Sequence, residues 1–242
     1  MSRRMSRSRA ALCGVPLLFT VTVYEGAFAQ STPPGPDPTV TPEGHPFLNR
    51  ATLVLGLGLG AGALAREEFD DVDQMAKFLD NSPFAGALDA GDIYGSGVAM
   101  GATSLGLLAI GRATGDPGLY AVGKDLSSSM LLTWSAVWAL KLTINAKRPN
   151  GGDYSFPSGH TATAFAAAPV LAKHFGSKVG YVSYAMAVLT GMARMEDKKH
   201  YLGDVLAGAA IGLVASREVT AQSDRGWTIA PAFPRMGVSV QF

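Results

Sequence analysis

The sequence is poor in cysteine: its single cysteine, Cys13, lies within the first 29 residues, where a secretory leader is expected. A chain that has lost this leader contains no thiol, which excludes disulfide bonds, cysteine nucleophiles and cysteine metal sites. Charged residues are also scarce, at 16% of the chain, and the formal net charge is only +1. Domains that bind nucleic acids normally carry a basic patch, so the sequence predicts no nucleic-acid partner.

The first 29 residues predict export. A segment with four arginines precedes an apolar stretch from Ala10 to Val23, and Ala27-Phe28-Ala29 supplies small residues at a cleavage site. This is the arrangement of a signal peptide, and an uncleaved membrane anchor is the alternative. The expected location is outside the cytoplasm, in the bacterial periplasm.

Apolar residues and glycines are abundant, at 48% of the chain and 29 residues. Six apolar segments lack the alternation of β-branched residues that marks strands, and their lengths favour helices. We therefore predict an all-α fold, a bundle of about six core helices occupying residues 47–216. The segments are Leu48–Ala65, Ile93–Ile110, Leu126–Leu142, Thr161–Phe175, Val179–Met192 and Leu202–Ala215.

The remaining segments carry weaker signals. Residues 30–46 are rich in Pro, Thr and Gly and predict a flexible leader. The acidic stretch 66–92 predicts a solvated helix face. In the tail, residues 217–242, three apolar residues alternate with polar or small ones and predict a short strand or hairpin. These are Val238, Val240 and Phe242.

Membrane attachment is left open by the sequence. Gly56 and Gly60, or Gly58 and Gly62, would let two helices approach closely either in water or in a bilayer. Several apolar segments are shorter than the ~20 residues that a membrane span requires. The favoured interpretation is a soluble or membrane-associated domain, and an integral membrane protein is the alternative.

The first of three informative motifs places two cations seven residues apart. Lys141 and Arg148 precede Pro149, so both side chains are expected on one face at the end of a helix that the proline stops. Such a pair suits a multiply charged oxyanion, which arginine binds bidentately. A basic helix C-terminus that complements the helix dipole is the alternative.

The second motif, Pro157-Ser158-Gly159-His160, predicts the start of a helix, with Ser158 as its N-cap. Backbone amides at a helix start bind anions, and Gly159 lets an anion come close. His160 in the first turn is placed to donate a proton to a leaving oxygen. A capped helix with an incidental histidine is the alternative.

The third motif combines Arg194, His200 and Asp204. His200 and Asp204 have the i, i+4 spacing expected at the start of an apolar helix. Asp204 is then able to accept a proton from one ring nitrogen and leave the other as a nucleophile. Arg194 supplies a third cation. A plain histidine–carboxylate pair on a helix is the alternative.

In this order, Lys-x6-Arg-Pro, Pro-Ser-Gly-His and Arg-x5-His-x3-Asp resemble the signature of the type 2 phosphatidic acid phosphatase and vanadium haloperoxidase superfamily. The resemblance covers about residues 131–212. It implies a helical bundle with the active site at helix ends, no metal or other cofactor, and vanadate as an inhibitor. It also implies a set of phosphate-binding residues, namely Lys141, Arg148, Ser158, Gly159 and Arg194.

The resemblance further implies that His200, held by Asp204, attacks phosphorus and that His160 protonates the leaving alcohol. We therefore predict an exported phosphatase that hydrolyses phosphomonoesters, lipid phosphates or isoprenoid pyrophosphates through a phosphohistidine. Its partner is a phosphorylated small molecule or lipid, with possible contact to a membrane. Two alternatives are a vanadate-dependent haloperoxidase and a non-catalytic binder of phosphate or lipid headgroups.

Two positions depart from the pattern of many superfamily members. Ala193 stands where serine often precedes the arginine of the third motif, and Leu202 stands where proline often follows His-Tyr. The missing serine hydroxyl removes at most one hydrogen bond, a net loss of ~1 kcal/mol.

Overall fold

The computed structural model describes residues 54–62, 72–83 and 85–224, and within these ranges the chain forms eight helices. This architecture confirms the predicted all-α fold class. The predicted signal peptide, the leader at residues 30–46 and the strand around residues 238–242 lie outside the described residues. In chain order the helices are α1 (54–62), α2 (Val72–Asp80), α3 (Ala85–Gly95), α4 (Gly97–Thr114), α5 (Pro117–Ile144), α6 (Gly159–Phe175), α7 (Ser177–Glu196) and α8 (Leu202–Asp224).

The core of the bundle is built around α6, which packs against α5, α7 and α8. Its buried face consists largely of alanines with no exposed surface, for example Ala162 and Ala166. Small residues on α8 complete this close packing. A Cβ at Gly212 would lie closer than 3.0 Å to the backbone of α6, and a Cβ at Gly208 would lie as close to the carbonyl of Ser158, the residue before α6. The first turn of α6 is thereby held against α8, and the candidate site lies at this turn.

The glycines of α1 show which of the two predicted pairs makes a close helix contact. A Cβ at Gly58 or at Gly62 would lie closer than 3.0 Å to atoms of α8. A Cβ at Gly56 or at Gly60 would have no atom within 4 Å. The second of the two proposed pairs, Gly58 and Gly62, therefore packs α1 onto α8.

The apolar segment predicted over 93–110 is divided between two helices. Ser96 separates α3 from α4, and its side chain caps α4 by accepting a hydrogen bond from the backbone N–H of Ala99 at 3.4 Å. The two helices are bent by 54° at this break. No single helix in the described ranges is long and apolar enough to cross a membrane, whereas α3 and α4 taken together pass that test.

The acidic stretch at residues 66–92 contributes to the core as well as to the surface. Leu79 of α2 and Leu88 of α3 are each 2% exposed and pack in one apolar cluster with residues of α7 and α8. Apolar residues at helical spacing thus bury one face of α2, while its charged residues remain outside. At the other end of the chain, the predicted domain boundary at residue 216 falls inside α8, which continues to Asp224.

Candidate active site

All three motifs converge where α6 begins. The backbone N–H of Ser158, just before α6, donates to the carbonyl of Asp204 in the first turn of α8 at 2.9 Å. The start of α6 also lies against α5, since a Cβ at Gly159 would lie 3.9 Å from Cε of Lys141. The end of α7 adds Arg194 to the same region. The structure therefore brings the sequence-predicted residues together at helix ends.

The predicted common helix face for Lys141 and Arg148 is wrong. Helix α5 ends at Ile144, because Asn145 adopts a left-handed conformation with φ 45° and caps the helix through its N–H to the carbonyl of Lys141. Arg148 lies in the loop between α5 and α6, where its backbone N–H donates to the carbonyl of Gly152 at 2.7 Å. The loop, and not the helical period, brings the arginine to the site.

Lys141 is held by the backbone of this loop. Its Nζ donates to the carbonyl of Tyr154 at 2.6 Å and lies 3.4 Å from that of Ser155. Burial lowers the pKa of Lys141 to about 8, and the charge of Arg148 adds to this effect. Tyr154 has φ 60°, a conformation that few residues other than glycine adopt. The loop is thus shaped around the lysine ammonium.

The two arginines present buried donors without partners in the described part of the chain. Nε of Arg148 and Nε of Arg194 are both inaccessible to solvent and make no hydrogen bond. Burial and the nearby charge of Arg194 lower the pKa of Arg148. Nη1 of Arg194 donates to Asp92 on α3 and to Oδ2 of Asp197 at 3.2 Å. Buried polar groups nearly always find a partner, so these two Nε atoms are available to donate hydrogen bonds to a bound anion.

Helix α6 opens as predicted, with Ser158 as N-cap. Its hydroxyl lies 3.4 Å from the N–H of Thr161, from which it accepts, and 2.9 Å from the Thr161 hydroxyl. Since the serine is engaged in capping, its contribution to an anion site is through the helix start, whose first N–H groups have no partner within the helix. His160 follows, and its side chain is 37% exposed, so it is accessible to a substrate.

His160 lies among charges of both signs. Its Nε2 is 4.0 Å from Oδ1 of Asp92. Burial and the charge of Arg194 lower the pKa of His160, with smaller contributions from Arg148 and Lys141, whereas Asp92 acts in the opposite direction. The protonation of this histidine is therefore set by a balance between three cations and one carboxylate.

His200 and Asp204 form the most buried pair in the site. Nδ1 of His200 lies 3.5 Å from Oδ2 of Asp204, and the two side chains are 4% and 0% exposed. This separation is an ion-pair distance, and Nδ1 of His200 makes no hydrogen bond within the described part of the chain. Burial lowers the pKa of His200 to about 4, although Asp204 opposes the shift. The imidazole is therefore neutral at pH 7, with Nδ1 towards the carboxylate and Nε2 left for chemistry.

The expectation that these two residues share a helix needs correction. Helix α8 begins at Leu202, so His200 lies before it and only Asp204 is in its first turn. The intervening backbone still connects them, because the N–H of Tyr201 donates to Oδ2 of Asp204 at 3.1 Å. The carboxylate caps the start of α8 and faces the imidazole at the same time.

Two residues of the site were missed by the sequence reasoning. Ser155 is fully buried, and its hydroxyl donates to Oδ2 of Asp204. Only its position three residues before Ser158 could have drawn attention to it. Asp92 belongs to the acidic stretch that was predicted to be a solvated helix face, and it lies 102 residues before Arg194 in the sequence. No local pattern connects these two residues.

The two departures from the superfamily pattern, Ala193 and Leu202, lie together in the structure. Ala193 is 3% exposed and belongs to the apolar cluster that contains Leu79 and Leu88, and Leu202 packs against the same cluster. Alanine and leucine therefore join the end of α7 and the start of α8 to α2 and α3. The charged segment that follows α7 is also tied to α2, through an ion pair between Lys198 and Asp73.

Within the described residues, no group of three or more His, Cys, Asp or Glu is placed to hold a metal ion. The absence of a metal requirement stays a prediction. The described residues place three cations, Lys141, Arg148 and Arg194, near His160, and Lys141 and Arg148 also act on the neutral imidazole of His200.

Comparison with known proteins shows what this chain is similar to. The family model of the PAP2 superfamily matches residues 117–227, from the start of α5 beyond the end of α8. A lipid A 1-phosphatase from Porphyromonas gingivalis is 40% identical over 99 residues, which cover 38% of this chain and 22% of that protein. A lipid A 1-phosphatase from Helicobacter pylori is 31% identical over 102 residues, which cover 40% of this chain and 54% of that protein.

The chain thus spans about a fifth of the first relative and about half of the second. The solved structure of a transmembrane PAP2-type phosphatidylglycerolphosphate phosphatase from Bacillus subtilis superposes with a TM-score of 0.52 at 22% identity. The match covers 74% of this chain and 98% of that one. The resemblance stated from the motifs is confirmed, and the bundle is a shared fold.

Proposed function

Residues 117–227 form a domain of the PAP2 superfamily, and on this premise we propose that the chain is a phosphatase acting on a phosphorylated lipid. The reaction proceeds through a phosphohistidine on His200 and uses no metal ion. The observation that carries the proposal is the pair of buried Nε atoms of Arg148 and Arg194, which have no hydrogen-bond partner among the described residues, beside a buried neutral imidazole.

The cations supply the binding site for the phosphoryl group. Arg148 and Arg194 direct donors towards an anion, and Lys141 adds a third positive charge next to the first turn of α6. Phosphoryl transfer depends mainly on positioning and on stabilising charge at the phosphoryl oxygens. Fixed cations together with the helix N-terminus provide that stabilisation in this site.

The histidines divide the chemistry. Nε2 of His200 attacks phosphorus, the P–O bond to the alcohol breaks, and His160 delivers its proton to the departing oxygen. Water then attacks the phosphohistidine, His160 takes a proton from this water, and the P–N bond breaks to release inorganic phosphate. Asp204 faces Nδ1 of His200 at 3.5 Å, so that its negative charge compensates the positive charge developing on the ring.

A lipid substrate is supported by the surface beside the site. Leu142 and Ile144 follow Lys141 on the last turn of α5 and are 65% and 48% exposed. Ile93 follows Asp92 on α3 and is 68% exposed. Apolar surface next to an anion site suits a molecule with a phosphate at one end and hydrocarbon at the other. Two of the relatives are lipid A 1-phosphatases, and lipid A 1-phosphate is a phosphorylated lipid of this kind.

The proposal is tested with the full chain in detergent micelles and a chelator. Release of inorganic phosphate is measured from phosphatidic acid, from 1-phosphorylated lipid A and from 4-nitrophenyl phosphate, for the wild type and for His200→Ala. We expect turnover that survives chelation, is blocked by vanadate, favours a lipid and is lost in His200→Ala. Halide oxidation that requires added vanadate would favour a haloperoxidase, and tight phosphate binding without turnover would favour a binding protein.

Export is the second part of the proposal. The signal peptide predicted over residues 1–29 places the enzyme outside the cytoplasm, in the compartment where lipid headgroups of the outer leaflet are exposed. N-terminal sequencing of the protein recovered from a periplasmic extract or a membrane fraction tests this. A chain beginning at Gln30 supports cleavage after Ala29, and a chain that retains its first residues contradicts it.

A further inference from the structure

Helix α3 reaches the active site from outside the part of the chain that matches the family. The match begins at residue 117, at the start of α5, whereas Asp92 lies on α3. Oδ1 of Asp92 accepts a hydrogen bond from Nη1 of Arg194. The same oxygen lies 4.0 Å from Nε2 of His160. One carboxylate oxygen thus contacts both a phosphate-binding cation and the proposed proton donor.

The position of Asp92 is fixed by the packing of its helix on α7. The Thr190 hydroxyl donates to the carbonyl of Gly91 at 2.6 Å. A Cβ at Gly91 or at Gly95 would lie closer than 3.0 Å to α7, so both glycines are required for this approach. Because glycines on either side of Asp92 hold α3 against α7, the carboxylate is presented to the site by a rigid element.

The charges around His160 explain why a carboxylate is needed. The charged groups acting on its ring come from four elements of the described chain: Asp92 on α3, Lys141 on α5, Arg148 in the following loop and Arg194 on α7. Three of them are cations, which disfavour a protonated imidazole. A general acid must carry its proton when the alcohol departs, and among these four groups Asp92 alone favours that state.

We propose that Asp92 is a positioning residue of this active site: it fixes the Arg194 guanidinium and offsets the cationic charge around His160, so that His160 carries the proton for the leaving group. This inference rests on the proposed phosphatase function. A purely structural tie between α3 and α7 is the competing explanation, and it predicts no effect on the titration of His160.

The first test compares leaving groups. Asp92→Asn retains the shape and removes the charge, Asp92→Glu retains the charge, and Asp89→Asn is a matched control at an exposed position on the same helix. An alkyl phosphate needs protonation of its leaving oxygen more than 4-nitrophenyl phosphate does. We expect Asp92→Asn to lower kcat for the alkyl ester by about tenfold or more and for the aryl ester by much less.

The same assays over a range of pH show in which direction Asp92→Asn shifts the pKa of His160. Activity on the alkyl ester requires protonated His160, so it falls as pH rises through the pKa of this histidine. Removal of the carboxylate lowers that pKa, and the fall in Asp92→Asn is expected about half a unit to one unit lower in pH. Asp89→Asn is expected to follow the wild type, and Asp92→Glu to recover most of the shift.

A second measurement does not depend on turnover. The His160 ring is titrated by NMR in the full chain, with its signal assigned from a His160→Ala spectrum. We expect a lower titration midpoint in Asp92→Asn than in the wild type and in Asp89→Asn. An unchanged midpoint, or equal losses on both esters, overturns the proposal. Absence of turnover in the wild type contradicts the phosphatase function, and the titration then still decides the role of Asp92.

Discussion

The hydroxyl of Ser155 donates a hydrogen bond to Oδ2 of Asp204, the oxygen that also faces Nδ1 of His200. Ser155 and Asp204 each have 0% exposure. The backbone N–H of Tyr201 donates to the same oxygen at 3.1 Å. The orientation of the proposed nucleophile is therefore set by a carboxylate that is itself held from two directions.

Replacement of Ser155 by alanine is expected to lower kcat with little change in KM. The substitution removes a buried hydrogen bond to a charged group, worth roughly 1.5–3 kcal/mol. Part of this loss appears in the barrier, so we expect about a tenfold decrease in kcat. Ser135→Ala on α5 is the control, because the Ser135 hydroxyl is exposed and bonds only to its own helix. Unchanged kcat in Ser155→Ala, or a change in KM alone, would contradict this role.

The pH dependence of kcat/KM is expected to have an acidic optimum. The nucleophile must be neutral, and burial lowers the pKa of His200 to about 4, so activity rises as pH increases through that value. The general acid must be protonated, and burial lowers the pKa of His160 below its ordinary value of 6.5, so activity falls before neutral pH is passed. A rate that rises steadily from pH 5 to pH 9 would exclude these assignments.

Vanadate affinity reports how strongly the cations of the site bind an anion, independently of catalysis. Arg148→Ala removes a half-buried cation whose buried Nε has no hydrogen-bond partner among the described residues, and charge-assisted hydrogen bonds contribute roughly 1.5–3 kcal/mol. We expect the Kd for vanadate to increase by about tenfold or more. Arg112→Ala, at an exposed position on α4, is expected to bind vanadate as the wild type does. Equal affinity in the two variants would show that Arg148 does not bind the anion.

In the wild type, vanadate affinity is also expected to weaken at alkaline pH. Burial lowers the pKa of Lys141 to about 8, so the ammonium loses its proton as pH rises through this value and one cation disappears from the site. A calorimetric titration at pH 7 and pH 9 measures the change. Because vanadate itself changes ionisation over this range, Lys141→Gln serves as the reference, and an equal loss of affinity in both proteins would contradict the assignment.

Two glycine substitutions test the helix packing, because one is expected to destabilise the fold and the other to stabilise it. A Cβ at Gly208 would lie closer than 3.0 Å to the carbonyl of Ser158, so Gly208→Ala must push α8 away from the start of α6. A Cβ at Gly106 on α4 has no atom within 4 Å. Gly106→Ala is therefore expected to stabilise the fold by ~0.5–1 kcal/mol, since alanine favours a helix more than glycine does.

The two variants, Gly208→Ala and Gly106→Ala, are compared by their Tm and by their kcat. Gly208→Ala is expected to lower both Tm and kcat, because the backbone it displaces carries Ser158 and lies next to His160. Gly106→Ala is expected to raise Tm or leave it unchanged, with full activity. A Gly208→Ala protein that is as stable and as active as the wild type would mean that α6 and α8 have room to separate.

The helices were predictable because each buries residues that recur locally in the sequence. The start of α6 was also predictable, because the capping hydrogen bond joins Ser158 to Thr161, only three residues further along the chain. The break between α3 and α4 carries a similar local signal, a serine that caps α4. It was concealed within an apolar segment that continues on both sides of Ser96.

The parts of the site that depend on tertiary structure were not predictable in the same way. The helical spacing of Lys141 and Arg148 selected two residues whose charges do interact, but for the wrong reason, because the left-handed Asn145 ends α5 before the arginine. Asp92 reaches Arg194 across 102 residues of sequence, through the packing of α3 on α7. A single sequence contains no periodicity that encodes such a contact.

The central claim is a covalent phosphohistidine on His200, and the most direct measurement is to trap it. The full chain is mixed with a 32P-labelled lipid phosphate and quenched in alkali, which preserves a phosphorus–nitrogen bond, and the labelled peptide is then identified. The account predicts an acid-labile label on His200 in the wild type, and none in His200→Ala. A label on another residue, or turnover in His200→Ala equal to that of the wild type, would contradict it.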